Sequence, residues 1–203
     1  VEKGHPEHYQ DLASKIVSET PGAFFTDQFN NPSNPMIHET TTGPEIWEQM
    51  EGNVDAFVAG VGTGGTISGV GKFLKSKNAK INIVIADPVG SVVADAVNTG
   101  SYKYENGSWL VEGIGEDHIP GNLNLDIIDE GIYVSDKDAF EMLNKLLQEE
   151  GILAGTSCGT LVHAAVEWCK LQKTPKKVVT LICDTGNKYL SKAYNKEWLE
   201  ENF

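Results

Sequence analysis

Basic side chains are scarce in this chain. Its 203 residues include 16 Lys and Arg against 29 Asp and Glu, a formal net charge of −13. Nothing would offset the repulsion of a polyanion, so neither nucleic acid nor an anionic membrane surface is an expected partner. The acidity itself needs no explanation beyond solubility. Cysteine is scarce too. Cys158, Cys169 and Cys183 are too few and too scattered for a disulfide framework or a zinc site. Their apolar surroundings predict buried thiols in a reducing compartment, the cytoplasm. No apolar run approaches the ~18 residues that a membrane-spanning helix needs. The first residues, Val1-Glu2-Lys3-Gly4-His5-Pro6, lack Met and lack the apolar core of a secretion signal; they read as if cut from a longer chain.

What is present is globular material, 40% hydrophobic and 22% charged, in a length that suits one domain or one and a half. The periodicity predicts a helix over 6–18 with Tyr9, Leu12, Ala13, Ile16 and Val17 inward, then a short strand over 23–26. A polar, proline-rich loop or crossover follows at Asn31-Pro32-Ser33-Asn34-Pro35. Thr41 or Thr42 is expected to cap a helix running to Met50, with Ile46 and Trp47 buried. Strands are expected over 54–59, 81–86, 126–134, 152–154 and 178–183, and helices over 66–76, over 135–150, from the small-residue turn 155–160 to about 171, and in the tail. The stretch 89–121 reads as a long irregular segment, which in a compact domain points to function. Alternation of strand and helix implies an α/β fold with a mostly parallel sheet and helices on both faces.

The organising stretch is Gly60-Val61-Gly62-Thr63-Gly64-Gly65-Thr66, between a buried strand and a helix. Glycine lets backbone approach a ligand closely. The helix behind it offers unpaired N–H groups and the positive end of its dipole, so the loop is an anion site, and phosphate is the usual anion. Two phosphate ligands compete. Gly60, Gly62 and Gly65 satisfy a dinucleotide-binding spacing, with Asp87 at the end of the next strand, 22 residues on, where a ribose-binding acid would sit. This would make an NAD-dependent oxidoreductase. Against it, the glycines crowd toward Gly64 and Gly65 between threonines, and Pro88 and Gly90 make Asp87 a turn residue. A second small-residue turn, Gly155-Thr156-Ser157-Cys158-Gly159, places Ser157 between a buried strand and a helix, at the sheet edge where ligands bind in open α/β folds.

Taken in order, Asn31-Pro32-Ser33-Asn34-Pro35, Thr41-Thr42-Gly43-Pro44-Glu45-Ile46-Trp47, Gly62-Thr63-Gly64-Gly65-Thr66, Glu112-Gly113-Ile114-Gly115, Gly155-Thr156-Ser157-Cys158-Gly159 and Asp184-Thr185-Gly186-Asn187 resemble the cysteine synthase and cystathionine β-synthase family of pyridoxal-phosphate enzymes, over essentially the whole chain. The resemblance implies a type II fold: residues 1–32 would end a smaller amino-terminal domain, and 33–203 would be the large domain. It implies that Gly62, Thr63, Gly64, Gly65 and Thr66 hold the cofactor phosphate, that Ser157 bonds the pyridine nitrogen, that Gln28 lies by the substrate carboxylate, and that Gly113 lines the mouth. The implied reaction is β-replacement on an amino acid by a thiol, in a homodimer. Glu112 before Gly113, with Glu116 and Asp117 after it, is similar to the cystathionine synthases, which join serine and homocysteine; Gln28-Phe29 and the Thr41 to Trp47 run are shared with cysteine synthases. One departure is large. Members of the family carry the Schiff-base lysine and a substrate-gripping asparagine loop in about a hundred residues before this point. No lysine stands here in such a context, and Lys72, on the helix after the glycine loop, reads as a surface residue. An amino-terminal segment of the same enzyme is the expected partner that supplies it.

Overall fold

The computed structural model describes residues 9–103 and 107–203. At its centre lie four strands, β1 (Ala56–Ala59), β2 (Asn82–Pro88), β3 (Glu130–Val134) and β4 (Val178–Val179). They pair in the order β3-β2-β1-β4, in parallel throughout. Successive side chains of a strand point to opposite faces, and both faces here are apolar, as a parallel sheet covered on two sides requires. Phe57, Ala59, Ile83 and Ile85 meet Ile67, Val70 and Leu74 of α4 (Gly65–Lys77) and Ile46 of α3 (Gly43–Gln49). Ala56, Val58, Val84 and Ala86 meet Phe140 and Leu143 of α6 (Asp136–Lys145) and Leu161, Ala164 and Trp168 of α7 (Thr156–Lys170). The expected α/β architecture, a parallel sheet with helices on both faces, is the one observed.

Several boundaries follow from local chemistry. Ser135 caps α6 by accepting the Asp138 N–H at 3.2 Å, and Asp136 and Asp138 place negative charge at its positive end. Gly151, with φ 70°, stops the helical run after a wider π turn at Leu146–Glu150. Other expectations are corrected. Residues 23–26 pair with no strand among the described residues. The proline-rich stretch enters α2 (Ser33–Ile37), which continues through a π turn (His38–Thr42) into α3. Thr41 and Thr42 therefore lie inside a helical run rather than capping one; the Thr40 and Thr41 hydroxyls donate one turn back, to Met36 and Ile37 carbonyls. The 178–183 run enters the sheet only at β4, because the Thr180 hydroxyl takes the Val58 carbonyl at 2.9 Å. Residues 152–154 supply a single bridge, Ala154 to Thr185. The 126–134 run opens with a 3-10 turn, Leu125–Ile127, before β3, and the irregular 89–121 segment contains α5 (Val93–Thr99). Cys158 is buried as expected, but Cys169 and Cys183 are exposed: one lies on the outer side of α7, the other beyond the end of the edge strand. The first helix, α1 (Tyr9–Glu19), forms but buries none of its residues; Ile16 is 52% exposed. Pro6 and its neighbours up to His8 lie outside the described residues.

Asp87, the last residue but one of β2, is fully buried. Its Oδ2 accepts the Ala94 N–H at 2.8 Å, while Oδ1 has no hydrogen-bond partner among the described residues. Burial pushes its pKa up to about 6. A folded pKa above the unfolded one means that the folded state binds the extra proton, so stability falls as pH rises from near 4 through 6. Asp87→Asn keeps an acceptor for Ala94 and removes the buried charge. It is expected to raise unfolding free energy at pH 7.5 by about 1–3 kcal/mol and to flatten the dependence between pH 4 and 6, read by urea unfolding across pH. A variant less stable than the parent at pH 7.5 would refute this.

Candidate functional site

Loops leaving the carboxyl ends of parallel strands share one edge of the sheet, which is where open α/β folds bind ligands. Here they enclose a pocket of about 540 Å³. Its floor is the glycine loop, residues 60 and 62–66, and its rim carries Gln28, Gly113 and Glu116. The loop must be glycine for reasons visible in the packing. Gly64 has φ +79°, and a Cβ there would lie 2.8 Å from Leu123. A Cβ on Gly62 would lie 2.9 Å from the Gly113 carbonyl, and one on Gly65 only 1.9 Å from Asn34 Oδ1. The backbone is thus bare toward the pocket. No side chain among the described residues caps the start of α4, so its first N–H groups are left for a ligand.

Two side chains outside the loop set its hydroxyls. Asn34 Nδ2 donates to Thr63 Oγ1 at 2.9 Å and to the Gln28 carbonyl at 2.8 Å; Asn122 Nδ2 donates to the same carbonyl at 2.8 Å. Gln28 is therefore fixed at its backbone while its side chain is exposed. His38 sits at the π turn, with Nε2 3.2 Å from Thr66 Oγ1 and Nδ1 2.9 Å from Thr42 Oγ1; partial burial lowers its pKa. The opposite wall is tied in by the backbone. The Gly115 N–H donates to the Val61 carbonyl at 2.8 Å, and the Glu112 N–H donates to the Thr156 hydroxyl at 3.0 Å. Gly113, with φ +88°, has open space where a Cβ would stand. The Glu112 carboxylate meets Lys192 at 2.8 Å with both groups half exposed, a pair worth at most ~1 kcal/mol.

Gly62, Thr63, Gly64, Gly65, Thr66, Gln28 and Gly113, all singled out in the sequence, come together in this pocket. Ser157 does not line it. It is buried in the first turn of α7, its hydroxyl against the Cys183 thiol, while Cys183 and Leu161, one helical turn on, form the wall. Asp87 is neither a turn residue nor a ribose ligand: it is the last residue but one of β2, faces the start of α5 and is absent from the pocket wall, so the dinucleotide geometry is lost despite Gly60, Gly62 and Gly65. Lys72 is a surface residue, 61% exposed and paired with Glu39 at 2.8 Å. The sequence reading missed Asn34 and His38 as loop supports and Trp109, Tyr9 and Cys183 as wall residues. For Asn34 the signal was its place in a motif already noted; for the others no local pattern marks them.

A bare, positively biased loop with two hydroxyls, set in a cavity of this volume, fits the phosphate of a small phosphate ester. The comparisons agree with that chemistry. Residues 1–184 match the family described as "Pyridoxal-phosphate dependent enzyme". The chain is 45% identical over 179 residues to a cysteine synthase of Staphylococcus aureus (strain Mu50), covering 88% of this chain and 56% of that protein. It is 42% identical over 188 residues to cysteine synthase A of Escherichia coli (strain K12), covering 89% and 57%. To a cystathionine beta-synthase of Apis mellifera it is 38% identical over 195 residues, covering 96% and 38%. The chain thus spans little more than half the length of the bacterial relatives. On the match and on the pocket that accompanies it, the chain belongs to the pyridoxal-phosphate-dependent enzyme family.

Proposed function

We propose that this chain forms most of the cofactor-binding large domain, with the end of a smaller domain at residues 1–32, of an enzyme that replaces the β-substituent of an amino acid with a thiol. The carrying observation is the glycine loop, held bare at the start of α4 and facing Gln28 and Gly113 across one pocket. Pyridoxal phosphate, when bound, supplies the electron sink for such a replacement. The residues do the holding. N–H groups of 62–66 and the hydroxyls of Thr63 and Thr66 bind its phosphate; the Ser157 hydroxyl, which lies behind the Cys183 wall in this structure, bonds the pyridine nitrogen once Cys183 moves aside, without holding it protonated as a carboxylate would; Gln28 lies by the substrate carboxylate, and Gly113 keeps the mouth open. The lysine that completes the site comes from a segment outside this sequence, and the assembled enzyme is a cytoplasmic homodimer.

The second substrate is homocysteine, giving cystathionine from serine. What favours this is an acidic rim: Glu116 lines the pocket and Asp117 follows it, two carboxylates that share one imidazole, with His118 Nδ1 at 3.6 and 2.7 Å, a setting that attracts the ammonium group of an amino-acid thiol and repels hydrosulfide. The alternative, a cysteine synthase using O-acetylserine and sulfide, is favoured by the names of the two bacterial relatives. Product analysis of the complete polypeptide, with serine and homocysteine in one arm and O-acetylserine and sulfide in the other, separates them. A colourless protein that takes up no pyridoxal phosphate would sink both.

In this arrangement His38 orients Thr66. When Nε2–H donates to Thr66 Oγ1, Nδ1 accepts from Thr42 and the Thr66 proton stays available to the phosphate. His38→Ala is expected to weaken pyridoxal phosphate binding about tenfold, the equivalent of roughly one hydrogen bond, read by fluorescence titration. An unchanged affinity would show that Thr66 needs no support.

A further inference from the structure

Cys183 and Cys158 have no part in the chemistry above, yet they meet at the wall of the same pocket. Cys183 lines the cavity and is exposed, whereas Cys158 is fully buried in the first turn of α7. The Cys158 sulfur accepts the Cys183 N–H at 3.2 Å and faces the Asp184 carbonyl at 3.9 Å, which places the two cysteine side chains beside one another. Its surroundings favour the thiolate: the Cys183 groups donate to it, and the positive end of a 15-residue helix lies beneath it. The contact lowers the Cys158 pKa at the expense of Cys183, whose thiol is pushed up, so the two sulfurs compete for one proton; transfer of the Cys183 proton to Cys158 leaves the accessible sulfur as the thiolate that an oxidant meets, and the buried one then closes a disulfide. The third cysteine, Cys169, is out on the solvent face of α7.

From this we infer that Cys158 and Cys183 form a reversible redox site on the wall of the cofactor pocket, its oxidant a hydroperoxide such as hydrogen peroxide. In the first step the Cys183 sulfur bonds to one peroxide oxygen as the O–O bond breaks; the other oxygen leaves with the thiol proton as water, and Cys183 becomes a sulfenic acid. In the second step the Cys158 thiolate attacks the Cys183 sulfur, the S–S bond forms, the S–O bond breaks, and hydroxide leaves to take up a proton. Two thiols are oxidised by one electron each, and the two peroxide oxygens are reduced to two waters. A thiol pair reverses the change by exchange. The disulfide pins the Cys183 segment, a wall of the pocket, against the start of α7 and in front of Ser157, so oxidation and cofactor binding oppose one another. That linkage rests on the cofactor reading of the pocket; the disulfide itself does not.

The test treats the complete polypeptide with hydrogen peroxide, with and without pyridoxal phosphate, and follows it by intact mass and peptide mapping. The expected product in the cofactor-free protein is a linked Cys158–Cys183 peptide with the mass loss of two hydrogens, reversed by dithiothreitol. It should be absent in Cys158→Ser and Cys183→Ser and kept in Cys169→Ser. Pyridoxal phosphate at about ten times its Kd should slow the reaction roughly tenfold, because only the free fraction reacts. Oxidation confined to Cys169, or a Cys183 that stops at the sulfenic or sulfinic acid with Cys158 unmodified, overturns the pair. Disulfide formation at the same rate with the cofactor bound, as judged by its visible absorbance, overturns the opposition between the two events. Absence of any cofactor absorbance counts against the pocket reading and leaves the disulfide arm to decide the thiol pair by itself.

Discussion

Gly65→Ala is expected to weaken pyridoxal phosphate binding by roughly 30- to 1,000-fold, ~2–4 kcal/mol, with little change in unfolding free energy. The added Cβ would lie 1.9 Å from Asn34 Oδ1, far inside van der Waals contact. Relief requires Asn34 to move, and Asn34 is the side chain that holds Thr63 and the Gln28 carbonyl at 2.9 and 2.8 Å. One methyl group therefore disturbs a phosphate hydroxyl, the loop backbone and the substrate-side residue together. Stability responds in the other direction: alanine near the start of α4 gains up to ~1 kcal/mol of helix propensity, which offsets part of the lost bonding. Fluorescence titration with the cofactor and urea unfolding separate the two effects. The mechanism also predicts non-additivity. In an Asn34→Ala background the obstacle is gone, so adding Gly65→Ala should cost little more. If the two losses simply add, the clash with Asn34 is not how Gly65 acts.

The contrast between Gly65 and Asn34 shows what the sequence made legible. Glycine density between a strand and a helix is a local pattern with a local physical reason, so the loop, its anion preference and the strands around it were readable. Asn34 and His38 act across 29 and 28 residues; Asn34 stands in a recognisable motif, but nothing local says that α2 and the π turn after it will bring the two side chains to Thr63 and Thr66. The same limit explains the errors. Thr41 and Thr42 look like caps because threonine often is one, but a hydroxyl inside a helix can equally return to the carbonyl one turn back. Residues 180–183 have the composition of a strand, yet the Thr180 hydroxyl takes the place of a ladder bond at the sheet edge. Asp87 matched a spacing rule, and only its burial against the start of α5 shows that the match was incidental. Cys183 read as a buried thiol because its neighbours are apolar; whether an edge strand's end is covered depends on tertiary packing.

Gly159 carries the other large effect, and its reason is invisible at the level of motif. In the sequence it closes a run of small residues that reads as a turn around Ser157. In the structure it lies in the first turns of α7 where α6 crosses: a Cβ would meet the Ala139 carbonyl oxygen at 2.1 Å, its carbon at 2.9 Å and Leu143 Cβ at 3.2 Å. Backbone cannot rotate aside as Asn34 can, so α6 would have to retreat by about 1 Å along a close-packed seam that includes Ala139, Phe140, Leu143, Leu161 and Ala164. Gly159→Val is expected to cost ~3–5 kcal/mol of unfolding free energy, because overpacking against backbone outweighs the fraction of a kcal/mol that valine gains over glycine as a helix former. Gly159→Ala should follow at a smaller cost, giving a graded pair readable by thermal or urea unfolding. Ser157 and Cys158 share that first turn, so the displacement also reaches the pocket wall: cofactor affinity should fall in step with stability, unlike Gly65→Ala, where it falls alone. A Gly159→Val protein as stable as its parent would mean that the α6–α7 seam has room to spare and that the glycine serves the turn alone.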